Sequence, residues 1–144
     1  MTSASTWFNW ALLSAAFAAL TAIFAKIGLE GVDSDLATLL RTLVIIVVLA
    51  GFVYFTGKWS NPLNLAPKTW LFLTLSGLAT GASWVCYFRA LKVGDASQVA
   101  PVDKLSLLLV AVFAFVFLDE RPSVREWVGI GMVGLGVLIL GFKK

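Results

Sequence analysis

Long hydrophobic stretches separated by short polar ones make up nearly all of this chain. Five of these stretches approach the roughly 20 apolar residues that a helix needs to cross the hydrocarbon core of a bilayer. The predicted helices cover residues 7–26, 36–55, 69–91, 96–118 and 124–142. The pattern therefore predicts an all-α membrane protein with five transmembrane helices, in a single domain over residues 1–144.

The polar connections carry turn and capping signals. Residues 56–68 form the longest connection, and Ser123 and Glu126 have the Ser-x-x-Glu spacing of a capping box before the last helix. Tryptophans cluster at the ends of the segments, which is typical of side chains at the membrane–water interface: Trp7, Trp10, Trp59, Trp70 and Trp127. Trp84 is the exception, because it lies well inside the third segment.

The composition supports a membrane location and excludes several functions. The 144 residues are 60% hydrophobic and 13% charged, with a mean hydropathy of +0.93, whereas a soluble domain has about 25% charged residues. There is no histidine and only one cysteine, Cys86, so the usual general base and the common metal-ligand clusters are missing. We expect no enzymatic activity, catalytic residue, cofactor, metal site or nucleic-acid partner, and we expect contact with membrane lipid.

Two adjacent charged residues, Asp103 and Lys104, interrupt the fourth hydrophobic segment. A charge at the centre of a membrane helix costs about 2.5–3.5 kcal/mol on insertion scales, so such residues usually have a function. Pro101 removes an amide donor two positions earlier, and we expect the helix to bend there. Because neighbouring residues point about 100° apart on a helix, we expect Asp103 and Lys104 to pair with other helices rather than with each other.

Two interpretations of this pair remain open. One is an ion-pair network that fixes the register of the helices, and the other is contact with a substrate or a coupling proton. The two are compatible, since a pair that substrate can break would act as a switch. The candidate partners are Lys26, Arg41 and Arg89 for Asp103, and Glu30, Asp35 and Asp95 for Lys104.

Polar and aromatic side chains on two helices suggest a pocket. They share one face of the first helix and one face of the third: Trp10, Ser14 and Thr21, with Thr80, Trp84 and Tyr87. Together they would supply aromatic walls and hydroxyl donors, although hydrogen bonds between helices explain the hydroxyls as well. Arg41 is a further candidate for binding substrate, but it lies near a predicted helix end, where long side chains reach the lipid headgroups.

Small residues recur at spacings that let helices approach closely. The third helix contains Gly77-x-x-x-Gly81, and the last helix contains Gly129, Gly131, Gly134, Gly136 and Gly141. We interpret them as packing seams, with the lining of a pore as the alternative.

The basic residues specify the orientation of the chain only weakly. An odd number of spans places six lysines and arginines on the side of the C-terminus and four on the other side, with Lys104 excluded. The six are Lys26, Arg41, Arg89, Lys92, Lys143 and Lys144, and the four are Lys58, Lys68, Arg121 and Arg125. The excess favours a cytoplasmic C-terminus, but so small a bias is compatible with insertion in both orientations.

Three segments together resemble a known family. They are Ser76-Gly-Leu-Ala-Thr-Gly-Ala-Ser-Trp84, Gly94-Asp-Ala-Ser-Gln-Val-Ala-Pro101 and Phe117-Leu-Asp-Glu-Arg121, followed by a glycine-rich helix. This resembles the EamA domain of the drug/metabolite transporter superfamily, in which most members look like two five-helix units in one chain. One unit alone implies a homodimer, and an antiparallel one would rebuild the inverted repeat. The resemblance also suggests a helix-capping role for Glu120.

The resemblance implies a multi-pass secondary transporter in the cytoplasmic (inner) membrane of a prokaryote. Such a protein would export a small polar or amphipathic metabolite by alternating access. A proton or the substrate would compete for Asp103, while Lys104 balances charge or holds an anionic group. Two alternatives remain open: a non-transporting membrane subunit that assembles with a partner, and a flippase for a lipid-linked substrate.

Overall fold

Helices make up almost all of the described chain. A computed structural model describes residues 3–141, with side chains from residue 6 onward. The helices are α1 (Ser3–Gly28), α2 (Ser34–Phe55), α3 (Pro67–Val93), α4 (Ala96–Asp103), α5 (Ser106–Phe117) and α6 (Val124–Gly141), with a 3₁₀ turn at Pro62–Asn64. Residue 142, the predicted end of the last helix, lies outside the described residues.

Five helical stretches are long and apolar enough to cross a membrane. They are α1, α2, α3, α4 together with α5, and α6. This confirms the predicted all-α membrane fold with five transmembrane helices. The chain divides into two compact units, residues 1–93 and residues 94–144, and the assignment of one domain stays a prediction.

The first unit contains α1, α2 and α3, with α3 packed against both other helices. The Asp33 carboxylate begins α2 by accepting hydrogen bonds from the amides of Asp35 (2.9 Å) and Leu36 (3.2 Å). After α2, Gly57 adopts a φ of 65°, a left-handed conformation that glycine takes without steric cost. The Trp70 indole then donates to the carbonyl of Pro62 at 3.0 Å, which ties the 3₁₀ turn to α3.

The second unit contains α4, α5 and α6, with α6 packed against both other helices. The predicted capping box begins α6: the Glu126 carboxylate accepts from the Ser123 amide (2.6 Å) and hydroxyl (2.8 Å). The Glu126 amide in turn donates to the Ser123 hydroxyl at 3.4 Å. The capping box is therefore confirmed, and Glu126 rather than Glu120 supplies its carboxylate.

The fourth span is interrupted after Asp103, slightly beyond the bend expected at Pro101. Lys104 and Leu105 form a turn between α4 and α5. Their amides donate to the carbonyls of Pro101 (2.9 Å) and Val102 (3.0 Å), three residues back rather than four. The interruption is therefore a short 3₁₀-like turn in which these backbone amides keep their hydrogen bonds.

The glycine pattern divides into packed and open positions. A Cβ atom added at Gly134 would lie 2.8 Å from the Leu108 side chain, and one at Gly141 would lie 3.6 Å from Val102, so α6 packs on α5 and α4 there. No atom lies within 4 Å of a Cβ added at Gly77 or Gly81. Both glycines border a cavity between α2 and α3, so they make no close packing contact within the first unit, and the packing-seam interpretation stays a prediction for contacts outside that unit.

Candidate functional site

An arginine held against two aromatic rings is the most unusual arrangement in the first unit. The Arg41 guanidinium carbon on α2 lies 4.3 Å from the ring centroid of Trp84 and 5.2 Å from that of Phe88. These two rings are four residues apart on α3 and therefore share one face. A guanidinium over aromatic faces is attracted electrostatically by the ring quadrupole, whose negative side is the ring face.

This contact corrects the expectation that Arg41 reaches the lipid headgroups. The side chain instead extends from α2 to the aromatic face of α3, because Trp84 and Phe88 offer an attractive surface within its reach. Its Nη1 atom is buried and has no hydrogen-bond partner among the described residues.

Two cavities lie beside this stack. The first has a volume of about 420 Å³ and is bounded by α1, α2 and α3. Its lining includes Thr21, Phe24, Ala37, Leu40, Arg41 and Phe88. The second has a volume of about 590 Å³ and lies between α2 and α3, where its lining includes Thr38, Thr42, Ser76, Thr80, Gly81 and Trp84. Arg41 therefore lines the first cavity while it stacks on a tryptophan that lines the second.

The threonine hydroxyl groups of the second cavity are used within their own helices. Thr80 donates to the carbonyl of Ser76 at 2.8 Å, and Thr42 donates to that of Thr38 at 2.7 Å. This contradicts both the expectation that Thr80 offers a hydroxyl donor to a pocket and the alternative that it bonds to another helix. A threonine in a helix reaches the carbonyl four residues earlier without moving, so this local hydrogen bond forms in preference to one with a ligand or another helix.

The structure brings only some of the predicted site residues together. Thr21 and Arg41 line the first cavity, and Thr80 and Trp84 line the second. Tyr87 is half-buried, and its ring packs edge-on against Phe88 with 6.3 Å between centroids.

Other placements differ from the sequence-based pocket. Trp10 and Ser14 are exposed on α1 and line neither cavity. Phe88 was missed, although its position four residues after Trp84 places it on the same helix face.

Charged side chains join the three helices at one end of the first unit. Arg89 on α3 donates from Nε (2.9 Å) and Nη2 (2.6 Å) to the two carboxylate oxygens of Asp35 on α2. Lys26 on α1 donates to the carbonyl of Leu91 at 2.7 Å. Lys92 on α3 donates to the carbonyls that follow α1, at 2.7 Å and 2.6 Å: Leu29 and Val32.

This arrangement corrects two of the predicted pairings. Arg89 was a candidate partner for Asp103 and Asp35 a candidate for Lys104, but the structure pairs Arg89 with Asp35. The physical reason is the antiparallel packing of α2 and α3, which places the first turn of α2 beside the last turn of α3.

Asp103 and Lys104 pair with each other in the second unit. The Lys104 Nζ lies 3.1 Å from an Asp103 carboxylate oxygen, so the expectation that each finds a partner on another helix is wrong. The helix ends at Asp103, and the long lysine side chain bends back to its neighbour in the turn that follows. Side-chain exposures of 34% for Asp103 and 54% for Lys104 leave both groups accessible within this unit.

Five spanning helices and short connections define a multi-pass membrane protein. Residues 5–142 match the model of the EamA-like transporter family, and the chain therefore belongs to that family. This confirms the family resemblance seen in the sequence motifs and identifies the class of protein as a transporter.

Curated relatives support this assignment. A Sinorhizobium sp. protein named "uncharacterized transporter in cobO 3′ region" is 56% identical over 135 residues, covering 94% of this chain and 96% of the relative. A Hamiltonella defensa protein named as a probable 4-amino-4-deoxy-L-arabinose-phosphoundecaprenol flippase subunit, ArnE, is 29% identical over 60% of this chain and 76% of its own length. The uncharacterized transporter YxxF of Bacillus subtilis is 25% identical over 90% of this chain but only 40% of its own length. No solved structure matches the chain significantly.

Proposed function

We propose that this chain is a secondary active transporter of the cytoplasmic (inner) membrane of a prokaryote. It exports a small polar or amphipathic metabolite by alternating access, as an antiparallel homodimer. The observation that carries this proposal is the first cavity, which combines an apolar lining with the guanidinium group of Arg41. A volume of about 420 Å³ lies within the range of about 300–1,000 Å³ for small-molecule sites, which commonly pair apolar walls with a few polar groups.

Three observations support a dimer. The Bacillus subtilis relative has 60% of its length outside the matched region, enough for a second unit of this size. Gly77 and Gly81 border the second cavity, and no atom lies within 4 Å of a Cβ added at either position, so this part of α3 leaves room for a second copy to approach. Because Arg41 stacks inside the first unit, it no longer counts as a charge that flanks the membrane. The basic residues then number five on the side of the C-terminus and four on the other side, instead of six and four, which weakens the preference for one orientation.

Asp103 and Lys104 are proposed to couple transport to a proton or to substrate charge. Their pairing joins no second helix, since both belong to one short stretch of chain. Opening the pair therefore costs no helix contact, and a proton or an ionic substrate can compete for Asp103. Such intramembrane carboxylates commonly serve as relay groups in transporters.

Cysteine labelling in intact cells tests the antiparallel arrangement. Ser60→Cys in a Cys86→Ala background places one thiol in the connection between α2 and α3, and Glu30→Cys in the same background places one in the connection between α1 and α2. We expect an impermeant maleimide to label part of each variant before permeabilisation and the remainder afterwards. Complete labelling of one variant with none of the other would mean a single orientation and would contradict the antiparallel homodimer.

A flippase subunit is the second candidate function. The observation in its favour is the similarity to the Hamiltonella defensa protein named as a flippase subunit. This function predicts a single orientation and co-purification with a second, different membrane protein. Substrate flux by the chain alone in proteoliposomes would contradict it.

A further inference from the structure

The charge of Arg41 is not neutralised by any carboxylate in the described part of the chain. The ion pairs among the described residues join Arg89 to Asp35 and Lys104 to Asp103. Arg89 occupies both carboxylate oxygens of Asp35, which is the acidic residue of α2. Arg41 therefore has no carboxylate partner among the described residues although it lies inside a membrane-spanning helix, where an unpaired charge usually marks a functional site.

Stacking on the two rings does not satisfy the hydrogen-bonding capacity of Arg41. The N–H groups of a guanidinium lie in its plane, so contact with the ring faces of Trp84 and Phe88 does not provide them with acceptors. Nη1 is buried without a partner, and a buried donor without an acceptor is unfavourable. The planar fork of arginine matches the two oxygens of a carboxylate or phosphate, which would satisfy both the charge and the donors.

The remaining walls of the first cavity suit an apolar group. Phe24, Leu40 and Phe88 are the large apolar side chains of its lining, and Thr21 adds one hydroxyl. A ligand with a single anionic group next to an apolar body would place the anion at Arg41 and the body against these side chains.

We propose that Arg41 is the anion-binding residue of the first cavity and that the ligand is an amphipathic carboxylate or phosphate. This inference rests on the proposed function, since it takes the cavity as the substrate site. Both a free amphipathic metabolite and the phosphate of a membrane lipid have the required chemistry, and the two sources can be distinguished by competition.

Binding of a simple probe to the purified full chain tests the proposal. Hexyl phosphate is titrated into the protein in phosphatidylcholine nanodiscs, with binding followed by the shift in thermal stability and by tryptophan fluorescence. Hexyltrimethylammonium is the probe of equal length and opposite charge. We expect hexyl phosphate to bind and the cation to bind at least about tenfold more weakly, because a charge-assisted hydrogen bond is lost and the like charges repel.

Substitutions at Arg41 test whether this residue binds hexyl phosphate. Arg41→Met is expected to weaken the binding of hexyl phosphate at least about tenfold, and Arg41→Lys to weaken it less, because lysine keeps the charge but loses the planar fork. Lys58→Met, which removes an exposed cation from the connection after α2, is the matched control and should bind normally. If Arg41→Met fails to fold, Arg41→Lys provides the comparison.

Three results would overturn the proposal. They are no binding of hexyl phosphate by the unmodified chain, unchanged binding of hexyl phosphate in both Arg41 variants, and equal binding of the two probes by the unmodified chain. Phosphatidic acid added to the nanodiscs identifies the source of the anion: competition with hexyl phosphate indicates a lipid phosphate, and the absence of competition indicates a free metabolite.

Arg41-dependent binding without flux in proteoliposomes would refute the transport function alone, whereas flux of the cationic probe without binding of hexyl phosphate would refute the anion site alone.

Discussion

The two units of this transporter use their charged side chains in opposite ways. In the first unit, Lys26, Arg89 and Lys92 each bond to groups 54 to 65 residues away in the sequence, on another helix or just beyond its end. In the second unit, Asp103 and Lys104 are sequence neighbours and bond to each other. The helices of the second unit meet instead through small residues, with Gly134 of α6 against Leu108 of α5.

The charged side chains of the first unit hold helices together, whereas the pair in the second unit is available to bind a proton or an ionic substrate. An interaction between helices must break before the helices can separate, so the cations of the first unit stabilise one arrangement of α1, α2 and α3. A pair within one turn of chain can open while the surrounding helix contacts persist. We therefore expect substitutions in the second-unit pair to change transport and substitutions in the first-unit network to change stability.

Asp103→Asn should have the largest effect, a loss of flux driven by a pH gradient without a loss of folding. Asparagine has nearly the size of aspartate but cannot take up and release a proton. The measurement is flux into proteoliposomes under an imposed pH gradient, with hexyl phosphate and hexyltrimethylammonium offered separately and thermal stability measured in parallel.

Asp95→Asn is the matched control for this prediction. Asp95 precedes α4, is exposed, and makes no side-chain hydrogen bond to cap that helix. Its variant should transport normally. Normal flux in Asp103→Asn would remove Asp103 from the mechanism and would leave the second-unit pair with a structural role.

Gly134→Leu should destabilise the second unit by about 1–3 kcal/mol, as expected when side-chain atoms are forced into a packed contact. Even the Cβ atom would lie 2.8 Å from Leu108. Gly136→Leu changes the same residue type two positions later, where no atom lies within 4 Å of an added Cβ. Thermal unfolding in detergent should show the loss for Gly134→Leu only, and equal losses would show that α6 does not pack through Gly134.

Lys92→Met should have the smallest effect, a destabilisation of about 1 kcal/mol, because it removes two partly exposed hydrogen bonds. Methionine preserves the length and the apolar stem of the side chain. Lys58→Met is again the control, since it removes a lysine from an exposed connection. Unfolding midpoints that do not differ between the two variants would mean that Lys92 does not hold α1 and α3 together.

Features that depend on neighbouring residues in the sequence were predictable. The five spans follow from the length of the apolar stretches, and the capping box at Ser123 and Glu126 follows from a three-residue spacing whose partners must meet when the helix forms. The family motifs likewise occupy continuous segments. These features need no information about which helices are neighbours.

The partners of the charged residues were not predictable in the same way. Alternating spans place Asp35 and Arg89 on the same side of the membrane, but the sequence alone does not show that these two residues lie next to each other where α2 packs on α3. Helix geometry also suggested that Asp103 and Lys104 point apart, but that rule assumes a continuous helix, and α4 ends between them. Arg41 illustrates the same limit, because its stacking depends on the aromatic face of a different helix.

The turn between α4 and α5 also determines how the fourth span can rotate. Four amides in this region, those of Lys104, Leu105, Leu107 and Leu108, donate to carbonyls three residues back. A 3₁₀ helix winds about 120° per residue and an α-helix about 100°, so each residue that changes between the two turns the following helix by about 20°. Conversion of four residues would rotate α5 by about 80° around its own axis while their amides exchange one carbonyl acceptor for the next. In such a torsional movement each amide passes directly from one carbonyl to another, so no amide is left without an acceptor, a state that a lipid environment would penalise heavily.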